Sequence, residues 1–375
     1  MPQYNTIPYF NLAAQHRAVR DPVEAAVRRV LRSGQYVLGE EVRRLEQEVA
    51  RDCGAREAVA VANGTDALTL GLRALGVGPG DEVITSPMTF IATIEAILMV
   101  GACPVLADVD PITYTVDPAQ VRRRITRRTR ALLPVHLYGQ PADMTPLLAL
   151  ARRHRLVVLE DTAQALGARY RGRPVGALGD AGAISFYPTK NLGGYGDGGL
   201  VVTRSRAVAR RLRTLRNHGA DAPHHHVLVG TNSRLDELQA AALRIKRQSL
   251  AAWNARRRYL AALYTRALCT VPGIETPVEA PGRESTYHIY AIRVAGGRRD
   301  ALRRRLAGQG IGTMLYYPRP VHLQPAMRPL GYRRGSLPHA ERATRELLAL
   351  PLYPELSEAQ VLAVADAIRR HLRRS

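Results

Sequence analysis

Seven short apolar runs, most of them followed by a stretch of helical periodicity, leave this chain few architectures. The runs lie at 59–62, 82–85, 104–108, 130–135, 156–160, 183–186 and 200–203, with helical patterns at 66–75, 91–100, 118–124, 145–153 and 205–216. Strand and helix alternating in this way predict an α/β fold, a mostly parallel sheet sandwiched by helices. Ligands on such sheets bind beyond the carboxyl ends of the strands. Upstream, helical patterns at 22–31 and 40–49 are separated by Gly34-Gln35-Tyr36-Val37-Leu38-Gly39. Downstream, a long helical pattern at 235–266 carries a polar stretch, 251–258, that reads as the hinge into a second domain. That smaller α+β unit is expected to hold a strand at 290–294, helices at 298–307, 340–348 and 358–373, and a Pro- and Tyr-rich loop at 316–332. The expected division is 1–250 and 251–375.

With 375 residues, 46% of them hydrophobic, the chain can bury a sizeable core. Cys53, Cys103 and Cys269 are far apart and lack metal-ligand spacing, which predicts a reducing compartment, no disulfide frame and no metal site. Met1-Pro2-Gln3-Tyr4-Asn5 has none of the features of a secretion signal. The most apolar window, 90–109, carries Glu95, Gly101 and Pro104, so it reads as a buried helix followed by a strand. A soluble, cytoplasmic protein with no membrane partner is expected. The net charge of +22 comes from arginines scattered along helix faces without interleaved aromatics. That pattern favours solvated surfaces over a nucleic-acid partner.

The arginine bias makes one residue stand out. Only two of the 54 Lys and Arg residues are lysine, Lys190 and Lys246. Arginine cannot lose its proton or form an imine, and a lysine amine can do both. Lys190 ends the run Ser185-Phe186-Tyr187-Pro188-Thr189 and opens a stretch with five glycines before the run at 200–203. A chemical role is expected for Lys190. Lys246, in Arg244-Ile245-Lys246-Arg247, reads as an ordinary surface cation.

Three further clusters fall at strand ends. Asn63-Gly64-Thr65-Asp66-Ala67 opens a helix whose free N–H groups form an anion site, although an ordinary helix cap has the same appearance. Glu160-Asp161-Thr162-Ala163-Gln164 puts a carboxylate and an amide at the end of a strand. Thr89-Phe90 offers an aromatic face. An imine-forming amine, a phosphate cradle, a carboxylate for a ring nitrogen and a stacking ring together match pyridoxal 5'-phosphate.

These motifs, with Val135-His136-Leu137-Tyr138-Gly139-Gln140-Pro141, Arg216-Asn217-His218-Gly219 and Asn232-Ser233-Arg234-Leu235-Asp236-Glu237, resemble the DegT/DnrJ/EryC1/StrS family of sugar aminotransferases over nearly the whole chain. The resemblance implies the fold-type I transferase architecture, with a seven-stranded sheet, and a cofactor, pyridoxal phosphate, joined to Lys190. It also implies that Asp161 pairs with the ring nitrogen, Gln164 touches the ring hydroxyl and Phe90 stacks on the ring. Gly64, Thr65, Asp66 and Ser185 surround the phosphate, joined by Asn232 from the second subunit of a homodimer with shared active sites. Arg234, Tyr187, Tyr317 and His322 are expected beside a nucleotide-sugar substrate. Leu166 and Tyr316 stand where some relatives have His.

The implied reaction moves an amino group from an amino acid, by family likeness glutamate, to a nucleotide-linked ketosugar. One branch of the family is a dehydratase with His in place of this lysine, so Lys190 points to the aminotransferases. Features around 231–237, 317–324 and 331–341 lean toward amination at C3 of a dTDP-linked 3-keto-6-deoxyhexose. UDP-linked 3-keto sugars, C4 amination and aminocyclitols stay open, as does a basic scaffold or nucleic-acid-binding protein from outside enzymology. Gly194-Tyr195-Gly196-Asp197-Gly198-Gly199 imitates a dinucleotide fingerprint but precedes a strand, and His224-His225-His226 reads as a solvated loop.

Overall fold

The structure, a computed structural model, describes residues 6–372. The first five residues, on which the reading of the N-terminus rested, lie outside the described residues, as does Arg373. Seven strands form the central sheet: β1 (Glu57–Val61), β2 (Glu82–Thr85), β3 (Cys103–Leu106), β4 (Thr129–Leu133), β5 (Val157–Asp161), β6 (Ala181–Ser185) and β7 (Gly199–Thr203). Their order is β1-β7-β6-β5-β4-β2-β3. Only β7 runs against its neighbours, pairing antiparallel with both β1 and β6. The mostly parallel seven-stranded sheet expected from the sequence is therefore present.

This topology collects the chemistry at one edge. Six strands point the same way, so Val61, Thr85, Asp161 and Ser185 end on the same side of the sheet. The reversal at β7 makes the glycine-rich segment between Ser185 and Gly199 a return loop at that edge. The fingerprint-like glycines thus open a strand, as the sequence order requires.

Local rules account for most helices. Helix α1 (Leu12–Ser33) starts where Asn11 accepts from the Ala14 N–H at 3.0 Å, ten residues earlier than expected, and Pro22 lies inside it. Its stripe of Val19, Val23, Ala26 and Val30 packs on Ala241 and Ala242 of α8 (Glu237–Arg247), which holds the helix together across the proline. Helix α2 (Glu40–Asp52) has no cap of its own. Buried Glu237 supplies one from α8, accepting from the N–H groups of Gly39, Glu41 and Val42 at 2.8, 2.8 and 3.1 Å. A Cβ on Gly39 would lie 2.9 Å from that carboxylate, so the position needs glycine. Helices α3 (Gly64–Ala74), α4 (Ala92–Met99), α5 (Pro118–Arg124), α6 (Met144–His154) and α7 (Arg206–Arg216) follow as expected within a residue or two. The long helix expected at 235–266 is two, α8 and α9 (Leu250–Leu268), broken at Gln248-Ser249.

A second, antiparallel sheet is built from β8 (Ile274–Glu275), β9 (Tyr290–Val294) and β10 (Leu347–Leu350) in that order. Strand β10 corrects the reading of 340–348 as one helix. Helix α11 (Pro338–Glu346) stops, and the apolar run after it pairs residue for residue with β9. Side chains alternate between two environments. Tyr290, Ile292, Leu348 and Leu350 join a core with α9, α10 (Arg299–Ala307) and α12 (Glu358–Leu372). Ala291, Leu347 and Ala349 continue into the core of the large sheet, with Leu106, Val109, Leu137 and Leu159. Among the described residues no helix is long and apolar enough to cross a membrane.

Candidate active site

The anion cradle is formed where α3 meets β6. Asn63 caps α3 by accepting from the Asp66 N–H at 2.8 Å. A Cβ on Gly64 would stand 2.7 Å from the Cβ of Ser185, and one on Gly199 would stand 2.1 Å from the Asn63 carbonyl. Three chain segments therefore converge because two glycines let them, and the free amides of the helix start, Thr65 and the Ser185 hydroxyl share one spot. The Asp66 carboxylate is already used: it accepts from Ser233 Oγ at 2.5 Å, and Ser233 also takes the Ala62 N–H at 3.1 Å.

Lys190 is half-buried on the return loop. Desolvation pushes its amine down to about 8, opposed by the negative charge of Asp161. Its neighbour Asn191 is clamped from several sides. The amide donates to Asn254 of α9 at 2.7 Å and to the Thr286 carbonyl at 3.3 Å, and its oxygen pairs with His288 Nδ1 at 2.9 Å. Burial, then the positive charge of Lys190, holds His288 well below its ordinary pKa, so it is neutral and donates Nδ1–H to Asn191.

Asp161 ends β5 with its carboxylate buried. It accepts from Thr93 Oγ1 at 2.9 Å and from the Ala163 N–H at 3.1 Å, and Thr93 pairs with Thr89 at 2.6 Å. Burial raises its pKa, with both hydrogen bonds and Lys190 opposing. Among the described residues it has no ion-pair partner. A buried carboxylate left so calls for a cationic N–H.

Gln164 is committed at both ends, accepting from the Tyr138 N–H at 2.7 Å and donating to Tyr317 Oη at 3.1 Å. Burial, then the charge of Asp161, keeps the Tyr317 hydroxyl above its ordinary value. Phe90 is 57% exposed, its ring 6.1 Å from that of Tyr317 and tilted by 37°. Tyr187 is exposed on the lysine loop. Asn232 is exposed and Arg234 half-buried, donating to Asn217 Oδ1 at 2.8 Å, while Ser233 between them turns inward.

His322, expected beside the substrate, is 2% exposed and pairs with buried Glu341 at 3.2 Å, a contact that ties the loop at 317–323 to α11. One expectation is corrected. Lys246 is no surface cation: it is 3% exposed and donates to the Gly193 carbonyl. His224, His225 and His226 are exposed, and among the described residues no group of three or more His, Cys, Asp or Glu is arranged to hold a metal.

Some working residues left no distinctive signal. Glu160, beside Asp161, points to the other side of β5. It accepts from His136 Nε2 at 2.9 Å and from the amides of Gly176, Leu178 and Gly179 at 2.9, 2.7 and 2.8 Å. Burial alone would raise its pKa, but these donors lower it. His136 Nδ1 takes the Ala142 N–H at 3.0 Å, which fixes the proton on Nε2. Strand alternation separates the two carboxylates: Asp161 faces the site, and Glu160 staples the loop at 176–179.

The residues fit pyridoxal phosphate: a cradle that an added Cβ would fill, a buried carboxylate without an ion-pair contact among the described residues, an exposed ring and an amine of lowered pKa. Comparisons with known proteins agree. The sequence profile of the DegT/DnrJ/EryC1/StrS aminotransferase family matches residues 19–369. A dTDP-3-amino-3,4,6-trideoxy-alpha-D-glucose transaminase of Streptomyces venezuelae is 50% identical over 363 residues, 97% of this chain and 95% of the relative. A UDP-N-acetyl-3-dehydro-alpha-D-glucosamine 3-aminotransferase of Acidithiobacillus ferrooxidans is 44% identical over 372 residues, 99% of this chain and 100% of the relative. The solved structure of S. venezuelae DesV in complex with a ketimine intermediate superposes with a TM-score of 0.96 at 49% identity, covering 99% of each chain.

Proposed function

The chain belongs to the DegT/DnrJ/EryC1/StrS aminotransferase family, and from that premise we propose that it aminates C3 of a dTDP-linked 3-keto-6-deoxyhexose, with glutamate as donor. The observation that carries the reading is the presence in one site of Lys190, its amine lowered to about 8, and a buried Asp161 without an ion-pair partner among the described residues. When bound, pyridoxal phosphate supplies a ring that stabilises negative charge on the carbon losing its proton.

The chain's own residues do the rest. Lys190 Nζ takes and returns a proton, a task that needs a free amine near neutral pH. Asp161 holds positive charge on the ring nitrogen. Thr65, Ser185 and the α3 amides near Gly64 bind phosphate, with Asp66 fixing the helix start through Ser233. Gln164, Tyr317 and Phe90 would hold the ring. Arg234 and Tyr187 are assigned to the nucleotide-sugar, and Asn232 and Arg234 to the site of a second subunit in a homodimer. The exposure of Asn232 beside the inward-turned Ser233 supports that last assignment. We divide the chain at 1–250 and 251–375, and assign the protein to the cytoplasm.

A second reading, a UDP-linked 3-keto sugar, is favoured by the Acidithiobacillus relative. Incubating the protein with glutamate and a panel of dTDP- and UDP-ketosugars, with products weighed by mass spectrometry, decides between them. A mass gain confined to UDP sugars, or absent with every sugar, would displace the first reading.

A further inference from the structure

The second lysine of this arginine-rich chain is inside it. Lys246 sits on the last turn of α8 between Arg244 and Arg247, which form ion pairs with Glu41, Glu48 and Asp52 of α2. Its ammonium donates to the Gly193 carbonyl and lies 4.9 Å from the centre of the Tyr195 ring. Seven residues earlier, on the same face of the helix, Gln239 Oε1 accepts from the Tyr195 N–H at 2.8 Å. Both contacts fall on Gly193–Tyr195, three to five residues beyond Lys190.

The loop they hold is folded tightly on itself. The Gly194 N–H donates to Phe186 at 2.7 Å, and a Cβ on Gly193 would lie 2.1 Å from the Pro188 carbonyl. A Cβ on Gly194 would meet Gln239 at 2.8 Å. Tyr195 is fixed from its other end by His16, whose Nδ1 is 2.8 Å from the phenol oxygen. No carboxylate forms an ion pair with Lys246 among the described residues. Burial lowers its amine to about 8, and only the field of Glu355 opposes. A buried cation of this kind destabilises a fold unless its contacts matter. A guanidinium, with five donors in a rigid plane, would find one carbonyl and a ring face here, and most of its N–H groups would be unmatched.

We propose that Lys246 is a positioning residue for Lys190: with Gln239 it forms a two-point grip from α8 that fixes the return loop and so sets where the Lys190 amine stands. The inference rests on the reading of Lys190 as the cofactor-bearing lysine. The full-length protein as purified is compared with K246M, K246Q and, as a control on the same helix turn, R247M. Three readouts are taken: hydrogen exchange of the 193–195 peptides, the pH midpoint of the bound cofactor's visible absorbance, and the split between kcat and KM.

In K246M the exchange of these amides is expected to speed up about tenfold, and the midpoint to move by about half a pH unit or more. The kcat is expected to fall about tenfold, while KM for the sugar stays within about twofold. K246Q, which keeps a donor toward Gly193, is expected to restore exchange protection and part of kcat. R247M is expected to match wild type. A folded K246M with wild-type exchange, midpoint and kcat would overturn the proposal. Should K246M not fold, Q239A breaks the other end of the grip and the same readouts decide in the same way. A wild-type protein without the absorbance band would refute the reading of Lys190 instead, while exchange at 193–195 would still test the grip.

Discussion

At the scale of single residues, the chemistry depends on burial working against charge. Partial desolvation lowers the Lys190 amine to about 8, so the rate at which the cofactor-free protein captures pyridoxal phosphate should rise with pH and level off above about 8. A rate still climbing at pH 10, as for an exposed lysine, would contradict that. The same desolvation has a stability cost with a definite sign. The folded pKa lies below the unfolded value, so the unfolded chain holds more protons between about 8 and 10.5, and stability rises across that window. K190M should therefore be more stable than wild type at pH 7 when cofactor is absent, by roughly 1–3 kcal/mol, with the gain fading toward pH 10.5. Denaturant titration at the two pH values measures it. In the loaded enzyme the same substitution abolishes turnover. Lys190 was legible because lysine is rare in this arginine-rich chain and Asp161 because it ends an apolar run. Lys246 was not, because sequence neighbours cannot say that a lysine among arginines is the one that is fully buried.

At the scale of elements, caps explain what pattern alone missed. The periodicity at 40–49 announces α2 without showing that its N-terminus is closed by Glu237, almost two hundred residues later. E237A removes one acceptor from three amides and should lower stability by about 1–3 kcal/mol. Thermal melting measures this, and a change within error would mean that water replaces the cap. The strand at Leu347–Leu350 has another cause: a short apolar run fits either structure until a partner strand decides. Where cap and periodicity agreed, as at α3, α5 and α7, the bounds followed within a residue or two. In the small sheet β9 was visible at its own bounds, but its pairing with β10, across more than fifty residues, leaves no local trace.

At the scale of the molecule, the loop at 231–234 makes a claim about assembly. If Asn232 and Arg234 serve the neighbouring subunit's site, neither K190A nor an N232A/R234A chain is active alone. Mixed and re-dimerised, they should regain turnover through the one site per mixed dimer that draws wild-type groups from both chains. No recovery in a verified heterodimer would confine each site to a single chain. The apolar layer running from Leu106 and Leu137 through Ala291 to Leu347 and Ala349 has a consequence of its own. Two bodies joined by a polar seam melt separately, but here the interior of one is the interior of the other. Scanning calorimetry should record one endotherm, and a fragment ending at residue 250 should emerge from expression as inclusion bodies, its bare face meeting others like it.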